Sequence, residues 1–207
     1  MSTVAVLRAE VQRLFGDESA TFLEAADVLT WLNRGQLDIA RRTDCLVTEM
    51  TGTTVAGVNF VAEPTDVLGY KQISLDYVVQ KEYQFEQRLV TSSSFALDVP
   101  YQRYILWNNK IYFSGGACAA AVNYRIYYTR TPVALVADTD VPEIPVQYHE
   151  DLVRFCLARA NEMAEDFNAA DRFMADYQQR VSSIRSDTDN QSRQSYAAVR
   201  CIDDWDY

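Results

Sequence analysis

The side chains able to do chemistry are few, and their spacing suits none of the common reactions. The sequence holds one histidine, His149. Any metal site needing two imidazoles is therefore excluded, and a Ser/His/Asp or Cys/His set would have to use that residue. The nucleophile elbow G-x-S-x-G is absent, and Ser114-Gly115-Gly116 does not replace it. Cys45, Cys118, Cys156 and Cys201 lie far apart with no C-x-x-C. That is neither a zinc nor a disulfide framework, and it suits assembly in a reducing cytoplasm. Glu162, Glu165 and Asp166 suggest paired carboxylates for acid–base work. Glu162 and Asp166, however, stand four apart on the polar side of a predicted helix, the pattern of a solvated face. Gly52 and Gly57 have the spacing of a phosphate loop, but Val58-Asn59 occupies the place of the required Lys-Ser/Thr. Asp187-Thr188-Asp189-Asn190-Gln191 imitates the start of a calcium loop, yet Ser192 replaces its glycine and no closing glutamate follows. The residues predict no catalytic, cofactor or metal site.

Composition points the same way. Of 207 residues, 48% are hydrophobic and 23% charged, the balance of a globular chain with a real core. Against 29 acidic side chains stand 19 basic ones, a net charge of −10 and the opposite of a nucleic-acid footprint. The acidity is uneven. Residues 1–43 hold 6 acidic and 5 basic side chains, residues 145–207 hold 12 and 7. Tyrosine is abundant at 13 residues, but the seven basic residues of 45–140 are scattered among nine acidic ones. Base stacking needs a positive groove around its aromatics, so tyrosine-rich strands read instead as a sheet face or a protein interface. Arg8 and Glu10 interrupt the apolar run from Val4 to Leu7, and no stretch approaches a membrane span, so neither leader nor membrane contact is expected.

The elements follow from hydrophobic period. Val4, Leu7, Val11 and Leu14 predict a first helix, which Gly16-Asp17-Glu18-Ser19 breaks. A second is expected from an Asp27 N-cap to about Arg42, burying Val28, Trp31, Leu32 and Ile39. From Cys45 the period changes to two. Ile73 to Gln80 and Val122 to Thr129 read as strands, and Asn108-Asn109 as a tight hairpin turn. With no helical stripe between them, these strands predict an antiparallel sheet. Ser92-Ser93-Ser94 suggests an exposed loop. After Pro145, one stripe holds Leu152, Cys156, Ala160, Met163 and Phe167, and a second holds Ala170, Met174, Tyr177, Val181 and Ile184, with Asn168 capping between them. The pair reads as an αα-hairpin. The fold expected is α+β. Its helical body combines N-terminal helices (1–44) with the αα-hairpin (141–185), around an inserted antiparallel β module (45–140).

Residues 186–207 stand apart. SDTDNQSRQS (186–195) has no apolar side chain and reads as a flexible linker. Beyond it, Tyr196, Val199, Ile202, Trp205 and Tyr207 cluster in YAAVRCIDDWDY. Aromatics after a polar linker need a surface to dock on, so this extended C-terminal arm is expected to grip a neighbouring protein.

The order of motifs carries a resemblance. DVLTWLNRGQLDIARRTD is followed by NFVAEPTDVLGYKQISLDYV, then by NKIYFSGG, VNYRIYYTRTP and ALVADTDVPEIPVQYHEDLVRFCLARA. This collinear series, above all the entry at Pro145, Tyr148 and His149 into a long helix, resembles the head-to-tail adaptor (connector) proteins of tailed bacteriophages, especially short-tailed ones. The resemblance spans residues 25–185 and implies a structural virion protein, made in the host bacterial cytoplasm and placed at the head–tail neck. It implies twelve copies in a ring below the portal, extending the DNA channel without sequence-specific contact and offering a platform to a tail nozzle or tube protein. It carries no catalytic residues and no cofactor. Two other readings remain: a tail-completion or tail-tube subunit that does not touch the portal, and a cell-wall hydrolase acting through Glu162 or His149.

Overall fold

A computed structural model describes residues 2–82, 103–113 and 121–200, and their side chains up to residue 185. The described chain is mixed α+β, with four helices and a curled seven-stranded sheet. It divides into two compact units, residues 47–130 and the two flanks together.

In the flanking unit, helix α1 (Val4–Phe15) buries Val4, Leu7 and Val11. Leu14 of the same stripe is half exposed, because Gly16, in the left-handed region at φ 88°, closes the helix two residues later. Asp17 then organises the connection. Its carboxylate accepts from the backbone N–H groups of Leu23 (2.7 Å), Phe22 (2.8 Å) and Thr21 (3.0 Å) and from the Thr21 hydroxyl (2.9 Å). The Leu23 N–H above all, with those of Phe22 and Thr21, lowers its pKa from 3.8 to about 2 despite burial. A depressed carboxylate stabilises the fold above its unfolded pKa and stops doing so as pH falls through the folded value. Asp17→Asn is therefore expected to lower the melting temperature at pH 7, and the gap to the wild type should close between about pH 4 and pH 2. Thermal melts across that range measure it; a gap that stays constant down to pH 2 contradicts the assignment.

Helix α2 (Ala25–Thr43) starts two residues before the expected Asp27 cap. Glu24 occupies the cap position without a side-chain bond, and Asp27 instead sits in the first turn, where a carboxylate favours the positive helix end. Val28, Trp31, Leu32 and Ile39 are buried as the period predicts.

Residues 131–140 belong with the helices, although the sequence reading places them in the β module. The reason is hydrogen bonding. Asn33 donates to the Leu135 carbonyl (3.0 Å) and accepts from its N–H (2.8 Å), while Gln36 donates to the Val133 carbonyl (2.9 Å). The carbonyls of Asp140 and Asp138 take the otherwise unpaired N–H groups of Val4 and Ala5 at the start of α1. Arg8 adds a two-pronged pair to Asp138 at 2.7 and 2.8 Å.

Helix α3 (His149–Met163) packs against α1, α2 and α4 (Phe167–Arg200). Leu152, Cys156 and Ala160 are fully buried. Met163 and Phe167 are exposed, because α3 stops at Met163 and the chain reverses through Glu165 at φ 61°. Asp166, rather than Asn168, caps α4, its carboxylate accepting from Ala169 N–H at 3.1 Å. Along α4, Ala170, Tyr177, Val181 and Ile184 are buried. The helix then continues to Arg200, through the 186–195 segment expected as a linker. Extending an existing helix adds one backbone bond per residue and needs no apolar side chain, whereas starting one does not come so easily.

The second unit is the sheet, in the order β1-β7-β3-β4-β5-β6-β2. Its strands are β1 (Val47–Thr53), β2 (Phe60–Ala62), β3 (Val67–Leu75), β4 (Val78–Glu82), β5 (Arg103–Trp107), β6 (Lys110–Phe113) and β7 (Asn123–Arg130). The sheet curls so that Val61 and Ile111 from one end share a core with Ile73, Ile126 and Tyr128 from the other. Asn108 and Asn109, at φ 50° and 56°, form the expected two-residue turn between β5 and β6.

Two features differ from expectation. β4 and β5 pair parallel (Lys81 with Arg103, Glu82 with Tyr104), a crossover for which the intervening twenty residues, 83–102, are long enough. Ile73 to Gln80 is not one strand but a hairpin, turning at Asp76 and Tyr77 with φ 49° and 63°. Ser92-Ser93-Ser94 lies outside the described residues.

Candidate functional site

The structure separates the groups that could have done chemistry. His149 is buried, and its Nε2 lies 3.1 Å from the Ile144 carbonyl. Glu162 is exposed and paired with Arg159 at 2.6 Å. The two stand near opposite ends of α3, about 20 Å apart along its axis, and cannot act on one bond. Burial pushes the thiols of Cys156 and Cys45 up, away from the reactive thiolate. Among the described residues no three His, Cys, Asp or Glu side chains cluster as metal ligands, and no helix is long and apolar enough to cross a membrane. Gly52 lies in β1 and Gly57 in the following turn at φ 81°. Asp187 to Gln191 are helical, so they cannot wrap a calcium ion as a loop. Ser114-Gly115-Gly116, Cys118 and Cys201 lie outside the described residues.

Two parts of the described surface form open grooves. The first is the outer face of β1, β7 and β3. Side chains alternate across the pleat, so Ile73, Ile126 and Tyr128 point into the core, which leaves Thr51, Gln72, Ser74, Arg125 and Tyr127 on the other side. They line an open groove of about 470 Å3, with Tyr77 at its edge. Arg125 is held there by Glu49 at 2.8 Å and by the Tyr127 hydroxyl at 3.2 Å. Opposite Tyr124, Gly52 leaves the space that a Cβ would take, 2.5 Å from the tyrosine oxygen, so the ring lies across the strand.

Tyr77 is the unusual residue of that face. It is 81% exposed and sits in the left-handed backbone region, where a bulky side chain costs about 1 kcal/mol relative to glycine. Tyr77→Gly is expected to raise the stability of the protein by about 1 kcal/mol, measured by denaturant unfolding. An equal or larger loss would show that the tyrosine is held by packing instead.

The second surface is a groove of about 530 Å3 between α2, α3 and α4. Its floor is aromatic: Phe155 and Tyr177 meet at 5.2 Å between ring centres, and the Tyr177 hydroxyl donates to Asp38 at 2.7 Å. Burial, and then the Asp38 charge, push the tyrosine's pKa up, so it remains a donor. The rim is basic. Arg34, Arg41, Arg42 and Arg159 converge there with only Asp38 and Glu162 against them. Arg42 pairs with Asp38 at 3.0 Å, and Arg159 lies 5.2 Å from the Phe155 ring centre. Arg34 and Arg41 are exposed and make no ion pair among the described residues. Sequence reasoning missed this groove because the four arginines come from two helices far apart in the chain. The run Arg41-Arg42 was its one visible signal.

The expected docking residues are placed only in part. Tyr196 and Val199 lie in the last turns of α4. Ile202, Trp205 and Tyr207 lie outside the described residues.

No protein of curated function matches the chain. A family model does, over residues 2–200, and its description is SU10 adaptor protein. With nearly the whole chain matched, the protein belongs to the SU10 adaptor protein family, the bacteriophage adaptors that its order of motifs resembles.

Proposed function

We propose that the protein is a head-to-tail adaptor: twelve copies form a ring below the portal, extend the DNA channel and present a platform to the tail. The observation that carries this reading is the family match from residue 2 to residue 200. Three features support it physically. A ring is built from contacts between unlike patches, and each unit carries one of its own: a polar, tyrosine-bearing face on the sheet unit and an arginine-rimmed groove on the helical unit. The arm 196–207 begins in the last turns of a helix that continues for sixteen residues past Ile184, the last side chain described as buried. Net negative charge suits a channel subunit, because like charge keeps passing phosphates off the wall. The arm's anchors are Tyr196, Val199, Ile202, Trp205 and Tyr207, which dock on the portal or a neighbouring copy.

Electron microscopy of the protein mixed with portal rings tests the proposal. An added ring of density on one face of the portal is the expected image. Binding to tail proteins with a bare portal would instead favour a tail-completion or tail-tube role.

A further inference from the structure

We propose that the groove between α2, α3 and α4 receives the acidic aromatic segment Asp203–Tyr207 of a neighbouring copy. This rests on the reading of residues 196–207 as a docking arm, and it names the arm's receptor.

Three observations lead there. The first is chemical fit. The segment is Asp-Asp-Trp-Asp-Tyr, three carboxylates around two aromatic rings. The groove offers the complement: four guanidinium groups on its rim and the rings of Phe155 and Tyr177 on its floor. Arginine suits both halves, since its fork binds carboxylates and its flat face stacks on tryptophan.

The second is vacancy of charge. Arg34 and Arg41 have no acidic partner among the described residues, in a chain that carries ten more negative than positive charges. A groove of this volume lies within the range of about 300–1,000 Å3 that takes large ligand groups, enough for Trp205 with its neighbours.

The third is reach, which decides between the same copy and another. Gln178 is the groove residue furthest along α4. From there to Arg200 the helix advances about 33 Å. Residues 201–207, even fully extended, span about 24 Å, so they cannot return to their own groove. The segment has to come from a second copy. The contact is therefore heterologous, arm of one subunit into groove of the next, the geometry from which rings are made.

DNA is the competing occupant for an arginine groove. Asp38 and Glu162 stand within it, and their charge opposes phosphate while leaving room for the carboxylate–arginine pairs that a short acidic peptide makes.

The test uses two full-length variants, R34E/R41E (groove reversed) and D203K/D204K (arm reversed). Arg34 and Arg41 are exposed, so circular dichroism should show both variants folded. In sedimentation at low salt, each variant alone should self-associate about tenfold or more weakly than wild type. Mixing the two should restore association, because each supplies what the other lacks. Unchanged association in either variant, a mixture no stronger than its parts, or a wild type that stays monomeric at every concentration would overturn the proposal. So would a labelled DNA duplex that binds wild type, fails to bind R34E/R41E and leaves association unaffected. Portal attachment of wild type, scored separately, tests the adaptor reading: attachment with unchanged association removes only the arm–groove contact.

Discussion

Deleting residues 196–207 is expected to abolish attachment to the portal while leaving the fold intact. The last described buried side chains of α4 are Tyr177, Val181 and Ile184, all upstream of the cut. The melting temperature should therefore stay close to that of wild type. Attachment is different, because an arm that seats in the next copy links the copies, and linked copies meet the portal at many points at once. Linked contacts of this kind raise apparent affinity by about 100-fold or more, and removing every arm at once removes that gain. Pull-down or mass measurement on portal rings reads the effect directly. A truncated protein that attaches as wild type does would take the docking role away from Tyr196, Val199, Ile202, Trp205 and Tyr207.

The second large effect is expected inside the helical unit. Asp151 is fully buried in the first turn of α3, and one of its oxygens meets Arg154 at 2.9 Å and Arg180 of α4 at 3.3 Å. Its other oxygen has no partner. Replacing both arginines with methionine leaves a carboxylate without compensation in the interior, a loss of about 3–5 kcal/mol. Asp151→Asn should be milder, on the order of 1–2 kcal/mol, because the arginines it strands are partly exposed and keep their water. Urea unfolding of the two variants separates these cases. If Asp151→Asn proves the more damaging, the carboxylate is serving the arginines rather than the reverse.

Much of the framework could be read from the residues alone, and what could not has identifiable causes. The stripes Val4-Leu7-Val11, Val28-Leu32-Ile39 and Tyr177-Val181-Ile184 announce helices because each buries one face against a partner. The Asn108-Asn109 turn was visible because asparagine tolerates positive φ. The turn at Asp76-Tyr77 was hidden, since tyrosine in that conformation signals nothing and the alternation from Ile73 to Gln80 runs straight through it. The parallel pairing of β4 with β5 left no trace, because strand direction depends on where a long connection returns. Residues 186–195 look like a linker when judged by apolar content, yet a helix already formed propagates through them. The arginine groove is the clearest omission. Net charge summed along the chain conceals a local excess that exists only after α2 packs beside α3 and α4.

On the adaptor proposal, this protein works by gripping copies of itself and a larger scaffold. The mass of the particle it forms, with and without portal, tests that most directly. The expected result is small, weakly associated species alone, and on portal a discrete particle heavier by a whole ring of subunits. A mixture in which the portal keeps its own mass and the protein its own would contradict it.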